Sequence, residues 1–252
     1  MSLDNKSMPK FKITVEYDGT EFVGWQRQEN GPSIQSSIED AIKKITSETV
    51  NVFGAGRTDS GVHAKGQVAH FELSNKISLD NIRDGINHHL RPLPIAILDA
   101  KEVNGDFHAR FSAQLRSYEY LIINRRSPLT LYKNQAWGVF KQLNINAMKK
   151  AAINFEGKHD FNGFRSIDCQ ASSSIKTIQS CTVKKNKQYI VINVAAKSFL
   201  HSQVRIITGT LVDVGKGKIS PTNIKKIIES KDRSKAGTTA PAHGLYLLKV
   251  EY

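Results

Sequence analysis

Between Phe11 and Val103 the apolar spacing switches between a period of two and a period near 3.6, and that alternation constrains the fold more than any single motif. Phe11 to Tyr17 alternates as a strand. Ile34, Ile38, Ala41, Ile42 and Ile45 then share one helical face, with Ser33 placed to cap it. Thr49 to Phe53 and Gln67 to Leu73 read as two further strands. Leu79, Ile82, Ile86 and Leu90 mark a second helix behind Ser78, and Ile95 to Val103 reads as a closing strand. The order β-α-β-β-α-β is that of ferredoxin-like and RNA-recognition domains.

The second half echoes this order without repeating its residues. Leu115 to Asn124 reads as a strand and Ile145 to Phe155 as a helix. Ile178 to Lys184 and Gln188 to Lys197 read as strands paired across Lys185-Asn186-Lys187. An apolar helix from Phe199 to Val214, a basic one from Ile224 to Ile228 and a strand from Gly244 to Tyr252 follow. The reading is an α+β chain of two lobes divided near residue 106, residues 1–106 and 107–252, with antiparallel sheets and no low-complexity linker between them.

Charge separates the two halves. Residues 1–106 carry 12 basic and 15 acidic side chains, a net of −3, whereas residues 107–252 carry 24 and 8, a net of +16. Such an asymmetry marks a surface for a polyanion, nucleic acid first and an acidic membrane second, against the plainer reading of a solvated face. No basic helix lined with Trp or Phe supports a membrane surface. No apolar run reaches the roughly 18 residues of a membrane span. Residues 1–6 carry charge with no apolar run behind them, which argues against a secretory signal. Two cysteines, Cys169 and Cys181, make no disulfide framework and fit a reducing cytosol.

Several motifs fail on inspection. Gly54-Ala55-Gly56 follows a strand as a dinucleotide fingerprint would, but Asp59 stands where its third glycine belongs. Gly209 to Lys216 has one residue too many for a phosphate-binding loop and lacks the hydroxyl residue after its lysine. The eight histidines show no HExxH spacing, and neither cysteine joins a metal pattern.

Three segments carry chemistry. The first is the loop Gly54-Ala55-Gly56-Arg57-Thr58-Asp59-Ser60-Gly61-Val62-His63-Ala64, whose glycines permit sharp bends and close approach of a substrate. Asp59 near Arg57 reads as a structural ion pair, an acid or base, or a nucleophile. The second is the apolar helix around Arg205. A buried arginine needs a carboxylate, with Asp59 and Asp213 as candidates, unless the side chain snorkels to water. In the third, strand alternation sets Arg116, Tyr118 and Tyr120 on one face, suited to stacking RNA bases or to an ordinary core.

The loop Gly56-Arg57-Thr58-Asp59-Ser60-Gly61-Val62-His63-Ala64 resembles the signature of the tRNA pseudouridine synthase A family. The resemblance runs through Tyr17-Asp18-Gly19-Thr20, Gly24-Trp25-Gln26, Arg116-Ser117-Tyr118-Glu119-Tyr120, Asp160-Phe161 with Phe164, and Phe199-Leu200 with Val204-Arg205. It continues through Gly209-Thr210-Leu211 to Ala240-Pro241 and Gly244-Leu245-Tyr246-Leu247. The chain departs from the family pattern at Ser60, where alanine is usual, at Lys176-Thr177 and at His201-Ser202-Gln203.

The resemblance implies a pseudouridine synthase fold: two ferredoxin-like lobes with antiparallel sheets joined around a central cleft. It implies isomerisation of uridine to pseudouridine at positions 38 to 40 of the tRNA anticodon stem-loop, by a cytoplasmic homodimer with no cofactor and no metal. Under it, Asp59 is the catalytic carboxylate, Arg205 its partner, and Tyr118 the residue stacked on the target uracil and helping at C5. Arg57 holds the flipped geometry or a phosphate, and Arg116 and Leu245 join the substrate-binding residues. The competing readings are a non-catalytic RNA-binding module of two such lobes and a metal-free nucleoside hydrolase that releases free uracil.

Overall fold

A computed structural model describes residues 8–252, and residues 1–6, discussed above for targeting, lie outside the described residues. The chain forms two compact units: Met1–Gln114 together with Leu248–Tyr252, and Leu115–Leu247. The sequence reading puts the division near residue 106; the compact units part after Gln114, and the last five residues return to the first unit.

The first unit runs β1 (Lys10–Tyr17), α1 (Ile34–Thr46), β2 (Phe53–Gly54), β3 (His63–Glu72), α2 (Leu79–Leu90) and β4 (Ile95–Val103). β1 lies between β4 and β3, antiparallel to both, and β2 pairs with β3. This is the expected β-α-β-β-α-β order. Ser33 caps α1 in a reciprocal box with Ser36, and the Ser78 hydroxyl accepts the Asn81 N–H at 3.2 Å to cap α2. Ile34, Ile38 and Ile42 of α1 and Ile82 and Ile86 of α2 are fully buried, together with Phe11, Ile13 and Val15 from β1.

Two boundaries in this unit differ from the sequence reading. The strand expected over Thr49 to Phe53 shrinks to Phe53–Gly54, because the Val52 N–H donates to the Glu39 carboxylate at 2.9 Å instead of joining a ladder. β3 begins at His63 rather than Gln67. Lys65 and Gly66 are weak strand formers, so pattern alone hides this start.

The second unit holds β5 (Leu115–Asn124), β6 (Trp137–Val139), α3 (Ile145–Ala152), β7 (Gly157–Asp160), β8 (Ile175–Asn186), β9 (Tyr189–Ala196), α4 (Gln203–Gly215) and α5 (Ile224–Ser230). Its strands run β5-β9-β8-β7 in antiparallel pairs, with β6 parallel to β5. The last strand, β10 (Leu245–Glu251), belongs to this unit as far as Leu247 and to the first unit beyond it. The architecture is mixed α+β with mainly antiparallel sheets, in agreement with the sequence reading.

The β8–β9 hairpin turns two residues later than expected. Lys184, Lys185 and Asn186 pair with β9, and Lys187 takes the left-handed turn position at φ 54. α4 starts at Gln203 rather than Phe199, because Ser202 is left-handed at φ 58 and cannot sit inside a right-handed helix. Among the described residues no helix is long and apolar enough to cross a membrane.

Candidate active site

The Asp59 loop connects β2 to β3 in the first unit. Its tip is a tight turn in which the Asp59 carbonyl accepts the Val62 N–H at 3.1 Å. Gly61 supplies the positive φ that this turn needs, at 74°. Asp59 is half-buried, Thr58 is buried and Arg57 is exposed. The Gln67 amide donates to the Gly56 carbonyl at 2.8 Å and fixes the loop's first bend to β3.

The segment joining β1 to α1 grips this loop from its other side. Tyr17 and Thr58 share a buried hydroxyl hydrogen bond of 2.8 Å. The Trp25 N–H donates to the Thr58 carbonyl at 3.1 Å, and the Ser60 hydroxyl donates to the Phe22 carbonyl at 3.0 Å. The Gly19 N–H donates to His63 Nδ1 at 3.0 Å, and Asp18 Oδ1 lies 3.1 Å from the same nitrogen. These bonds bracket Asp59 with a fixed neighbour on each side.

Two glycines make that grip possible. A Cβ on Gly19 would stand 2.0 Å from the Val62 carbonyl oxygen. A Cβ on Gly24, whose φ is 117°, would stand 2.5 Å from the Thr58 carbonyl oxygen and 3.2 Å from the Asp59 carbonyl carbon. Both obstacles are backbone, so no side chain can swing aside. The Tyr17-Asp18-Gly19-Thr20 and Gly24-Trp25 segments, which entered only through a resemblance, are therefore the physical seat of the Asp59 loop.

Glu39 anchors the approach to the loop. It is 6% exposed, and its carboxylate accepts from the Val52 N–H at 2.9 Å, from the Gln35 amide at 3.0 Å and from the Arg27 guanidinium. A buried charge with this many donors is compensated, and it ties α1 both to the chain after Trp25 and to the entry of β2.

The other predicted residues belong to the second unit. Arg205 lies in the first turns of α4. Its Nε donates to the Ala240 carbonyl at 2.8 Å, and its own carbonyl accepts the Ala240 N–H at 3.1 Å. The Nε bond holds the guanidinium beside Ala240, and the backbone bond holds Ala240 against α4. α4 can approach the 237–240 segment because Gly209 carries no Cβ, which would stand 1.7 Å from the Thr238 carbonyl oxygen.

Strand β5 holds Arg116, Tyr118 and Tyr120 on one face, as the alternation requires, and that face is buried at 7%, 8% and 0% exposure. Arg116 donates to the Lys197 carbonyl. Tyr118 meets Phe199 edge-on at 5.2 Å. The Tyr120 hydroxyl donates to the Pro241 carbonyl at 2.7 Å, and burial pushes its phenol far above the ordinary range despite the opposing charge of Arg205. Tyr120 is a support, not a proton carrier. Leu245 is 6% exposed at the start of β10.

The sequence reading missed Tyr17, His63 and Gln67 as supports of the Asp59 loop. The only signal was the run of small residues opposite it, and close approach between distant segments leaves no periodicity. Among the described residues no three His, Cys, Asp or Glu side chains converge into a metal-holding group.

The family model described as tRNA pseudouridine synthase matches residues 13–112 and 151–252. A protein named tRNA pseudouridine synthase A from Maricaulis maris is 49% identical over 245 residues, covering 97% of this chain and 98% of its own. The protein of that name from Ehrlichia ruminantium strain Welgevonden is 51% identical over 244 residues, with 96% and 99% covered. One from a Wolbachia of Culex pipiens is 48% identical, with 96% of this chain and 100% of its own covered. The Asp59 loop, its glycine seat and the Arg205 helix all fall within the matched segments, and the chain belongs to the tRNA pseudouridine synthase family.

Proposed function

We propose that this protein isomerises uridine to pseudouridine in tRNA, at positions 38, 39 and 40 of the anticodon stem-loop, with Asp59 as the catalytic carboxylate. The observation that carries the residue assignment is the seat of Asp59: a half-buried carboxylate on a turn fixed by hydrogen bonds from Trp25, Ser60 and Tyr17. A carboxylate with no catalytic task needs no such fixation, whereas one that must meet a reacting carbon does.

The reaction breaks the N1–C1′ bond, turns the uracil and joins C5 to C1′. The hydrogen on C5 leaves as a proton and N1 regains one, so atoms and electrons balance without a co-reactant. The target nucleotide must first leave its stack, at a cost of a few kcal/mol. In attack on C6, attack on C1′ or removal of the 2′ proton, one oxygen of Asp59 has to be held at a defined place. Tyr118 supplies an aromatic face for the turning uracil, and Arg205 a planar fork for a carboxylate or phosphate. Arg57 and Leu245 complete the contacts to the flipped nucleotide, and Arg116 supports them from β5. The family resemblance further supports a cytoplasmic homodimer in which each tRNA meets both subunits.

The test is tritium release from tRNA transcribed with 5-tritiated uridine. Wild-type protein should release tritium and form pseudouridine. Asp59→Ala should release none while keeping tRNA affinity within about tenfold, since the lost interaction belongs to the transition state. Release from both proteins would remove Asp59 from the mechanism. Free uracil as product would establish a hydrolase, and tRNA binding with no release from either protein would establish a binding module.

A further inference from the structure

The second unit has a cationic end at the opposite end of β5 from Arg116. It carries 22 basic and 7 acidic residues, a net of +15, whereas the first unit carries 14 and 16, a net of −2. The imbalance is itself uneven. Residues 120–155 and 169–212 contain no Asp or Glu at all. The fold brings these two acid-free stretches together at the far end of β5.

The register shows how. Ile123 on β5 stands opposite Tyr189 on β9, and the Asn124 N–H donates to the Gln188 carbonyl at 2.8 Å. Arg125 and Arg126 therefore leave β5 beside the end of the β8–β9 hairpin, which carries Lys184 and Lys185 as neighbours on β8 and Lys187 in the turn. Asn124, 4% exposed, staples a third segment to the same place. Its amide donates to the Val139 and Lys141 carbonyls, each at 2.8 Å, and its oxygen accepts the Leu143 N–H at 3.2 Å.

Six cations on three segments are thus held in one region, the Lys141 segment by the Asn124 amide and the hairpin end by its backbone pairing with β5. Arg126, Lys141, Lys184, Lys185 and Lys187 are exposed and Arg125 is half-buried. Lys141 donates to the Lys216 carbonyl at 3.1 Å, at the turn that also holds the Lys218–Asp213 ion pair, whereas the Lys231–Asp160 pair involves another part of the unit. The Tyr189 phenol reports the local field: after hydrogen bonds from Gln188 and Tyr132, the charges of Arg125 and Lys187 draw it below the ordinary range.

A solvated face intersperses both signs of charge; this one carries a single sign on a fixed frame, which is the footprint of a polyanion. Its place on β5 also matters. Tyr118 and Asn124 are six residues apart on this strand, about 20 Å at the usual rise, so this end does not share the surroundings of Tyr118. We propose that the β8–β9 turn and the end of β5 form an RNA-backbone docking surface that holds tRNA phosphates outside the anticodon stem-loop. This rests on the tRNA reading above and extends it from the reacting nucleotide to the body of the substrate.

The experiment compares the full-length chain with the triple variant Lys184→Gln, Lys185→Gln, Lys187→Gln. Binding to whole tRNA and to an isolated anticodon stem-loop is measured across a salt series. Each phosphate contact contributes about 0.7–0.9 to the slope of log affinity against log salt. The variant's slope for whole tRNA should fall by about 2 to 3, its slope for the stem-loop should not change, and the matching triple arginine variant should restore wild-type behaviour. An unchanged slope for whole tRNA would show a merely solvated face. An equal fall for both RNAs would place the contacts on the stem-loop itself and overturn the remote position. Pseudouridine formation by the wild-type protein is read separately, so loss of the tRNA-modifying reading and loss of this docking surface give different results.

Discussion

Gly24→Ala puts the seat of the Asp59 loop to a quantitative test. The new Cβ would lie 2.5 Å from the Thr58 carbonyl oxygen, where ordinary contact begins at 3.4 Å, so the loop must retreat by 3.4 − 2.5 = 0.9 Å. The backbone at Gly24 adds strain, since φ 117 is a conformation that L-residues rarely adopt. Strain and overpacking together cost about 2–6 kcal/mol of stability. A displacement near 1 Å at a reacting group costs about a hundredfold in rate, or about 2.7 kcal/mol of activation free energy. Single-turnover pseudouridine formation should therefore fall about a hundredfold with tRNA affinity little changed. Gly217→Ala is the matched control, because Gly217 has φ 77 with nothing among the described residues within 4 Å of its Cβ position. It should cost about 1–2 kcal/mol of stability and leave the rate alone. Wild-type turnover in Gly24→Ala, or an equal loss in both variants at a temperature where both are folded, would refute the argument that Gly24 positions the carboxylate.

Two further outcomes concern stability. His70 accepts the Ala109 N–H at 3.2 Å and is 4% exposed, and burial, with the charges of His108 and Lys10, lowers its pKa from 6.5 to about 4. The unfolded chain then binds the extra proton between those values, so this contribution is complete above pH 6.5 and lost as pH falls toward 4. Between pH 7.5 and 5 it amounts to about 2 kcal/mol; in urea titrations His70→Gln should lose that much less stability over the same interval, and an identical pH slope would refute the assignment. Thr208 on α4 is fully buried and its hydroxyl has no partner among the described residues, so Thr208→Val should stabilise by about 1 kcal/mol, or about 2–4 °C in Tm. A lower Tm in calorimetry would show that the hydroxyl is satisfied.

The first unit was legible because its apolar periods are clean: Ile34, Ile38 and Ile42 can only be one helix face, and Phe11, Ile13 and Val15 one strand face. The places where reading failed share a cause. Val52 leaves its ladder because Glu39, thirteen residues away, captures its N–H, and Gly66 sits inside β3 because a Cβ there would stand 2.8 Å from the Leu248 carbonyl oxygen. Both facts are contacts between distant segments, which a local pattern does not encode. The Arg116, Tyr118 and Tyr120 face shows the same limit in another form. Alternation says that the three side chains point one way, and nothing in it distinguishes a stacking platform from a face buried to 8% exposure or less.

The distribution of charge and hydrogen bonds divides labour between the units. The first, at −2 net charge, commits Tyr17, Gly19, Trp25, Ser60, His63 and Gln67 to fixing one loop, with no cationic surplus left for a polyanion. The second, at +15, commits its buried amide Asn124 and the tether of Arg205 to holding cations in place. A flipped stem nucleotide costs a few kcal/mol, and phosphate contacts are the sequence-independent means of offsetting that cost. On the proposed mechanism the hydrogen bonds of the first unit hold Asp59 at a defined place, and the charge surplus of the second unit meets the RNA backbone.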